Sequence, residues 1–224
     1  MAEQPTRAPT TRPWRKRLFY YVSRAFCRVF AILLFRYRAE GTEHIPDTGA
    51  ALVCANHQSY FDPVVVGIAF RRRLNYLARK TLFRSRMFGW LINYLDAIPI
   101  DRDGMGIGGL KETMRRLKRD EMVLIFPEGT RTHDGQLQTI RPGFLVVARR
   151  CRVPLIPVCA DGAFQAWPRQ ATFPRLTRIQ TVIGEPISAK TIAELDDDQV
   201  IKLLTERMRA CFETAQKMRG KGRQ

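Results

Sequence analysis

From residue 41 onward the chain alternates between short apolar runs and longer stretches of helical period. Strand-like runs stand at 50–55, 74–78, 97–101, 122–126, 154–159 and 179–183, rich in Val, Ile, Leu and Ala. Between them, helical spacing of apolar positions predicts helices around 64–70, 82–95, 107–119 and 144–150. A last helix is expected over about 192–218, with Val200, Leu203, Leu204, Met208, Cys211 and Phe212 on one side. This alternation predicts an α/β fold: a mostly parallel central sheet flanked by helices. The closing residues 219–224 are basic and read as a loose tail.

The N-terminal part has a different pattern. Residues 1–12 are polar, with Pro5, Pro9 and three threonines, and read as a flexible arm. Residues 13–38 are rich in Phe, Tyr, Leu and Arg. No small-residue cleavage site follows, and arginines interrupt the apolar part, which argues against a signal peptide. The longest uninterrupted apolar run, Val29 to Phe35, is far short of the roughly 20 residues a membrane span needs. On a helix, Arg17, Arg24 and Arg28 share one narrow face, while Leu18, Phe19, Val22, Phe26, Phe30 and Leu33 occupy the rest. A basic stripe beside a wide apolar face predicts an amphipathic helix lying on a membrane; packing on its own domain is the alternative. The expected organisation is therefore 1–40 as arm and basic membrane-anchoring helix, and 41–224 as the main domain with its C-terminal helix and basic tail.

Charge sharpens the choice of partner. The 224 residues carry 38 Lys and Arg against 21 Asp and Glu, a net charge of +17, which implies an anionic partner: nucleic acid, an anionic membrane, or a phosphorylated substrate. The same basicity makes a nucleic-acid-binding protein the competing class; against it, no helix-turn-helix, zinc or RNP-type pattern is present, and the basic residues are spread over many segments. Five cysteines without C-x-x-C spacing argue against zinc and a disulfide framework and suit a reducing compartment. No metal site is expected.

Chemistry concentrates in two turns. Asn56-His57-Gln58-Ser59-Tyr60-Phe61-Asp62 joins the strand at 50–55 to the helix at 64–70. Asp62-Pro63 there resembles an N-cap followed by a first-turn proline. A histidine in reach of a carboxylate can act as a general base, because the carboxylate fixes its tautomer and stabilises the imidazolium. The alternative is that Asp62 only caps the helix. The second turn, Phe126-Pro127-Glu128-Gly129-Thr130-Arg131, closes the strand at 122–126; Gly129 lets backbone approach a ligand, Thr130 offers a hydroxyl, and Arg131 can grip a phosphate bidentately. Arg102 and Lys80, each after a strand, are further candidates for the same anion, or else solvated turn charges. Gly104 to Gly109 matches G-x-G-x-x-G, but Asp101, Arg102 and Asp103 intervene after the strand, so it is read as a connection. His44 and His133 lack ligand spacing to other groups. Ser59 lacks the G-x-S-x-G elbow and is expected to hydrogen-bond within its turn.

The pairing of Asn56-His57-x-x-x-x-Asp62 with Phe126-Pro127-Glu128-Gly129-Thr130-Arg131 resembles the 1-acylglycerol-3-phosphate acyltransferase family of glycerolipid acyltransferases. Two further blocks of that family have counterparts, at Asp96 to Arg102 and at Val153, Pro154, Pro157 and Val158. In the former the arginine is kept, but the usual glycine is missing and Pro99 stands where an aromatic is usual. The resemblance covers about residues 41–190. It implies transfer of a fatty acyl group from acyl-CoA or acyl-carrier protein to a lysophospholipid hydroxyl, with 1-acylglycerol-3-phosphate as acceptor. His57 and Asp62 would be catalytic, and Arg102, Glu128, Gly129, Thr130, Arg131 and Lys80 would bind substrate. No cofactor beyond the thioester co-substrate is implied, and the expected place is the cytoplasmic face of the inner membrane. The altered block keeps glycerol 3-phosphate or a lyso-ornithine lipid open as acceptors.

Overall fold

The protein is described from a computed structural model, which defines residues 13–95, 97–100 and 106–220. Arg102 and its neighbours Asp101 and Asp103 lie outside the described residues, as do the N-terminal arm and the last four residues. Seven strands form one sheet: β1 (Arg38–Glu40), β2 (Ala51–Ala55), β3 (Leu74–Arg79), β4 (Ile98–Ile100), β5 (Met122–Ile125), β6 (Leu155–Asp161) and β7 (Gln180–Ile183), in spatial order β1-β7-β6-β2-β5-β3-β4. Only the β6–β7 pair is antiparallel. The sheet is therefore mostly parallel, as the alternation predicts. β1 is a difference: Arg38–Glu40 falls in the stretch assigned on sequence to the N-terminal appendage, yet it pairs with β7 at the sheet edge.

The central strands are buried on both faces, which is why their sequences are almost continuously apolar. Period-two alternation sorts their side chains. Leu52, Cys54, Val123 and Ile125 face a core closed by α4 (Gly106–Leu117), α5 (Leu145–Cys151) and α8 (Asp197–Gly220), whose Leu117, Leu145, Leu204, Met208 and Phe212 fill it. Ala51, Val53, Ala55, Leu124 and Val158 face the opposite side, against Val66, Ala69 and Phe70 of α2 (Asp62–Ala69) and its following residue. Truncating a fully buried ring such as Phe70 to alanine costs about 3–5 kcal/mol.

The C-terminal helix expected as one piece is two, α7 (Ala189–Glu194) and α8, separated at Leu195 and Asp196. A reciprocal cap makes the break: Asp196 Oδ1 accepts from the Gln199 amide at 2.8 Å, and Gln199 Oε1 accepts from the Asp196 amide at 3.0 Å. Short elements complete the chain: α3 (Arg86–Tyr94), preceded by a 3₁₀ segment Lys80–Arg84, and α6 (Ala163–Ala166).

The N-terminal helix α1 (Trp14–Phe35) is oriented opposite to a solvated surface helix. Part of its basic stripe leans on the domain: Arg24 Nη2 and Arg28 Nη1 donate to the Ile68 carbonyl at 3.4 and 3.5 Å, at the carboxyl end of α2, where cations complement the helix dipole, while Arg17 is exposed. Tyr20 and Phe35 are buried, and the Leu74 amide donates to the Tyr20 hydroxyl at 3.2 Å. The apolar remainder faces outward, with Trp14, Leu18, Val22, Phe26, Val29 and Leu33 all more than half exposed, Leu33 at 73%. Counting uninterrupted apolar runs underrated this helix, which at 22 residues is long and apolar enough to cross a membrane by length and composition. Contacts from Tyr20 to Phe35 nevertheless tie one side of it to the domain.

Candidate active site

The turn after β2 begins with a side chain that imitates backbone. Asn56 Nδ2 donates to the Ala160 carbonyl at 2.9 Å, and its Oδ1 accepts from the Ala160 amide at 2.8 Å, continuing the β2–β6 ladder past the end of the strand. His57 is thereby held at the carboxyl edge of the parallel strands, the usual ligand edge of such sheets. The Thr132 amide donates to the His57 carbonyl at 2.8 Å and fixes it from the β5 side.

Asp62 is the first residue of α2; Phe61 occupies the cap position, and no side chain caps the helix there. The expected capping role is therefore replaced. Asp62 Oδ2 reaches back instead, accepting from the Gln58 and Ser59 amides at 2.6 Å each and lying 2.7 Å from His57 Nδ1. Those two amides bend the turn so that residues five apart meet, which a regular helix would prevent. Asp62 is fully buried and its Oδ1 has no partner, whereas the His57 side chain is 20% exposed. With Nδ1–H given to the carboxylate, Nε2 is the free acceptor. The imidazole stacks on Phe126 at 4.0 Å between centroids and 14° between planes, which restricts its rotation.

The β5 exit supplies the other wall. Gly129 has φ +76°, a conformation that suits glycine, and the Arg141 side chain packs where a Cβ would stand. Glu128 is buried; its Oε2 accepts from the His57 amide at 3.3 Å and from Gln138 Nε2 at 3.1 Å, and its Oε1 has no partner. Burial pushes its pKa up to about 7, against the opposing pull of those hydrogen bonds. The Thr130 carbonyl takes a second bond from Gln138 Nε2 at 3.1 Å. The Arg131 guanidinium lies over the Tyr60 ring at 3.7 Å, with a buried Nη1 that has no partner. His57, Asp62, Glu128 and, through Tyr60, Arg131 thus converge. Lys80 is exposed at the end of β3, on the same sheet edge but two strands from β2.

Ser59 is committed to structure: its hydroxyl donates to the Trp167 carbonyl at 2.7 Å and accepts from the Phe61 amide at 3.1 Å. Sequence reading gave no role to Tyr60, Gln138, Arg141 or Trp167, which lie in or around this site. None stands in a recognisable spacing; only the basic residue of Arg141-Pro142-Gly143 offered a signal. Among the described residues no cluster of His, Cys, Asp or Glu could hold a metal ion.

A buried carboxylate behind a histidine at the strand ends of an α/β sheet, beside an arginine with an unpartnered Nη1, defines an enzyme-like centre suited to general-base group transfer. The chain belongs to the acyltransferase family, whose sequence model matches residues 36–161. It is similar to the 1-acyl-sn-glycerol-3-phosphate acyltransferase of Pseudomonas aeruginosa, 32% identical over 199 residues, covering 82% of this chain and 75% of that one. The protein of the same name from Bacillus subtilis is 26% identical over 165 residues, 73% of this chain and 80% of its own. The fold matches the crystal structure of the 1-acyl-sn-glycerophosphate acyltransferase from Thermotoga maritima with a TM-score of 0.77 at 24% identity, covering 90% of this chain and 83% of that one.

Proposed function

We propose that this acyltransferase moves a fatty acyl group from acyl-CoA or acyl-carrier protein to the hydroxyl of a lysophospholipid, with 1-acylglycerol-3-phosphate as acceptor and phosphatidic acid as product. The observation that carries this reading is the 2.7 Å His57–Asp62 contact set beside two unpartnered groups, Arg131 Nη1 and Glu128 Oε1. His57 Nε2 takes the proton of the acceptor hydroxyl as that oxygen attacks the thioester carbonyl, and Asp62 stabilises the imidazolium. The tetrahedral intermediate collapses by breaking the carbon–sulfur bond. His57 returns the proton to the departing thiolate, so ester and free thiol leave with the enzyme unchanged. The acceptor alcohol is itself the nucleophile, and the steps need no cofactor beyond the thioester.

Arg131 and Thr130 hold the acceptor phosphate, with Lys80 as a further cation at the same sheet edge and Arg102 as a candidate from the sequence alone, while Glu128 and the Gly129 backbone meet the glycerol part. Such positioning supplies several kcal/mol of the barrier reduction. The outward apolar face of α1 lies in the bilayer with its inward side fixed to α2, as a peripheral or monotopic attachment, and the free cysteines suit the cytoplasmic side of the inner membrane. Part of the basicity behind the nucleic-acid alternative is engaged within the fold: Arg72, Arg73, Arg149 and Arg207, like Arg24 and Arg28, donate to main-chain carbonyls, six of the 38 Lys and Arg.

The test crosses acyl-CoA and acyl-carrier-protein donors with 1-acylglycerol-3-phosphate, glycerol 3-phosphate and a lyso-ornithine lipid, using purified protein. Phosphatidic acid formed from the first acceptor in preference to the others supports the proposal. Preference for another acceptor replaces the substrate, and transfer to none removes the reading.

A further inference from the structure

We propose that the segment 167–178, between α6 and β7, is a second membrane-contacting element that docks on an anionic bilayer surface beside α1. This rests on the reading of α1 as a bilayer-bound helix. The segment runs Trp167-Pro168-Arg169-Gln170-Ala171-Thr172-Phe173-Pro174-Arg175-Leu176-Thr177-Arg178 and contains three arginines and no acidic residue. Its tip presents Phe173 at 77% and Leu176 at 72% exposure; among the described large apolar side chains only Leu33 and Phe26, on the outward face of α1, come close. Arg169 precedes them and Arg175 stands between them, both exposed. Apolar tips framed by cations are what an interface with anionic headgroups over acyl chains selects.

The tip is carried on a pinned base. Trp167 Nε1 donates to the Ala171 carbonyl at 3.0 Å, the Ala171 amide to the Pro168 carbonyl at 3.2 Å, and the Arg175 amide to the Ala166 carbonyl at 2.7 Å. Gly162, with φ +92°, lets the returning chain close in, since a Cβ there would collide with the Arg178 carbonyl. The apolar tip is thus held out by backbone bonds and does not fold back.

Ring contacts beneath the surface link its base to the end of α1. The Trp167 ring lies 5.1 Å from Phe61, whose ring lies 5.2 Å from Phe35 at the end of α1. Between the two surfaces sits the catalytic turn, tied to the segment by the Ser59–Trp167 hydrogen bond and the Tyr60–Trp167 ring contact. Two lipid contacts flanking one turn set the height of His57 above the bilayer.

The test measures co-sedimentation of the full chain with phosphatidylcholine vesicles, with and without phosphatidylglycerol, for wild type, Phe173→Ser/Leu176→Ser and Arg169→Ala/Arg175→Ala, with Phe26→Ser/Leu33→Ser as the α1 control. Each loop variant is expected to bind phosphatidylglycerol vesicles roughly tenfold more weakly. Each should keep the wild-type melting transition and wild-type turnover of a short-chain, water-soluble lyso-acceptor. Wild-type vesicle binding by both loop variants, with the α1 control impaired, overturns this inference and leaves the α1 reading intact. Unimpaired vesicle binding with activity lost only for acyl-carrier-protein donors assigns the segment to a protein partner and also overturns it. Failure of wild type itself to bind any vesicle removes the α1 reading and this inference together.

Discussion

Asp62 holds His57 through the same oxygen that gathers the two following amides: Oδ2 lies 2.7 Å from His57 Nδ1 and 2.6 Å from each of Gln58 and Ser59 N. Turn geometry and imidazole orientation therefore share one acceptor. Asp62→Asn can keep the two amide bonds but loses the negative charge behind the ring. The turnover number should fall about 100- to 10,000-fold with the acceptor Michaelis constant unchanged. Steady-state kinetics at saturating thioester check this; an Asp62→Asn enzyme with wild-type turnover contradicts it.

Glu128 gives the fold a specific pH dependence. Its pKa rises from an ordinary 4.5 to about 7 in the folded protein, because burial disfavours the carboxylate. Between those values the folded chain binds a proton that the unfolded chain has released. Stability from this group is thus full below about pH 4.5 and is lost as pH rises through 7, by about 3 kcal/mol in total. Glu128→Gln should abolish that part of the decline. Denaturant midpoints across the interval, compared between wild type and variant, check the sign; parallel curves contradict it.

Asn56 supports His57 from behind. In Asn56→Leu the Ala160 amide and carbonyl lose their buried partners, at a cost of about 1–3 kcal/mol. A lowered melting temperature together with a turnover number reduced more than the acceptor Michaelis constant is expected. A variant that melts early but turns over normally would confine Asn56 to stability.

Arg131 lies over the Tyr60 ring, 3.7 Å from its centroid, with Nη1 unpartnered. Arg131→Ala should raise the acceptor Michaelis constant, lowering kcat/KM for the acceptor roughly 10- to 100-fold, the range for a hydrogen bond to a charged group. Arg131→Lys keeps the charge without the planar fork and should recover part of the loss. An effect confined to the thioester would move Arg131 to the donor side.

The central strands and the two turns of the candidate site were legible because burial on both faces leaves almost uninterrupted apolar runs, and Gly and Pro mark where they stop. Three features were not. β1 is three residues of Arg, Ala and Glu at an edge, with too little pattern to announce a strand. The split at Leu195 and Asp196 depends on a cap between Asp196 and Gln199 inside an otherwise continuous helical period. The arginine stripe of α1 was visible, but its direction was not: periodicity defines a face, and only the Ile68 carbonyl shows that Arg24 and Arg28 on that face meet the domain. In the site, His57 and Asp62 could be read as neighbours in a turn. That Asp62 begins the helix, and binds backwards through one oxygen, depends on local backbone conformation that residue types leave open.

The most direct measurement follows both products of one reaction: thiol released from acyl-CoA and phosphatidic acid formed from 1-acylglycerol-3-phosphate, with wild type and with His57→Ala. The proposed mechanism predicts equal amounts of the two products with wild type. With His57→Ala it predicts a turnover about 100- to 10,000-fold lower, while the protein melts as wild type and still binds the acceptor. Phosphatidic acid formation by His57→Ala at a rate near that of wild type would contradict the assignment of His57 as the base.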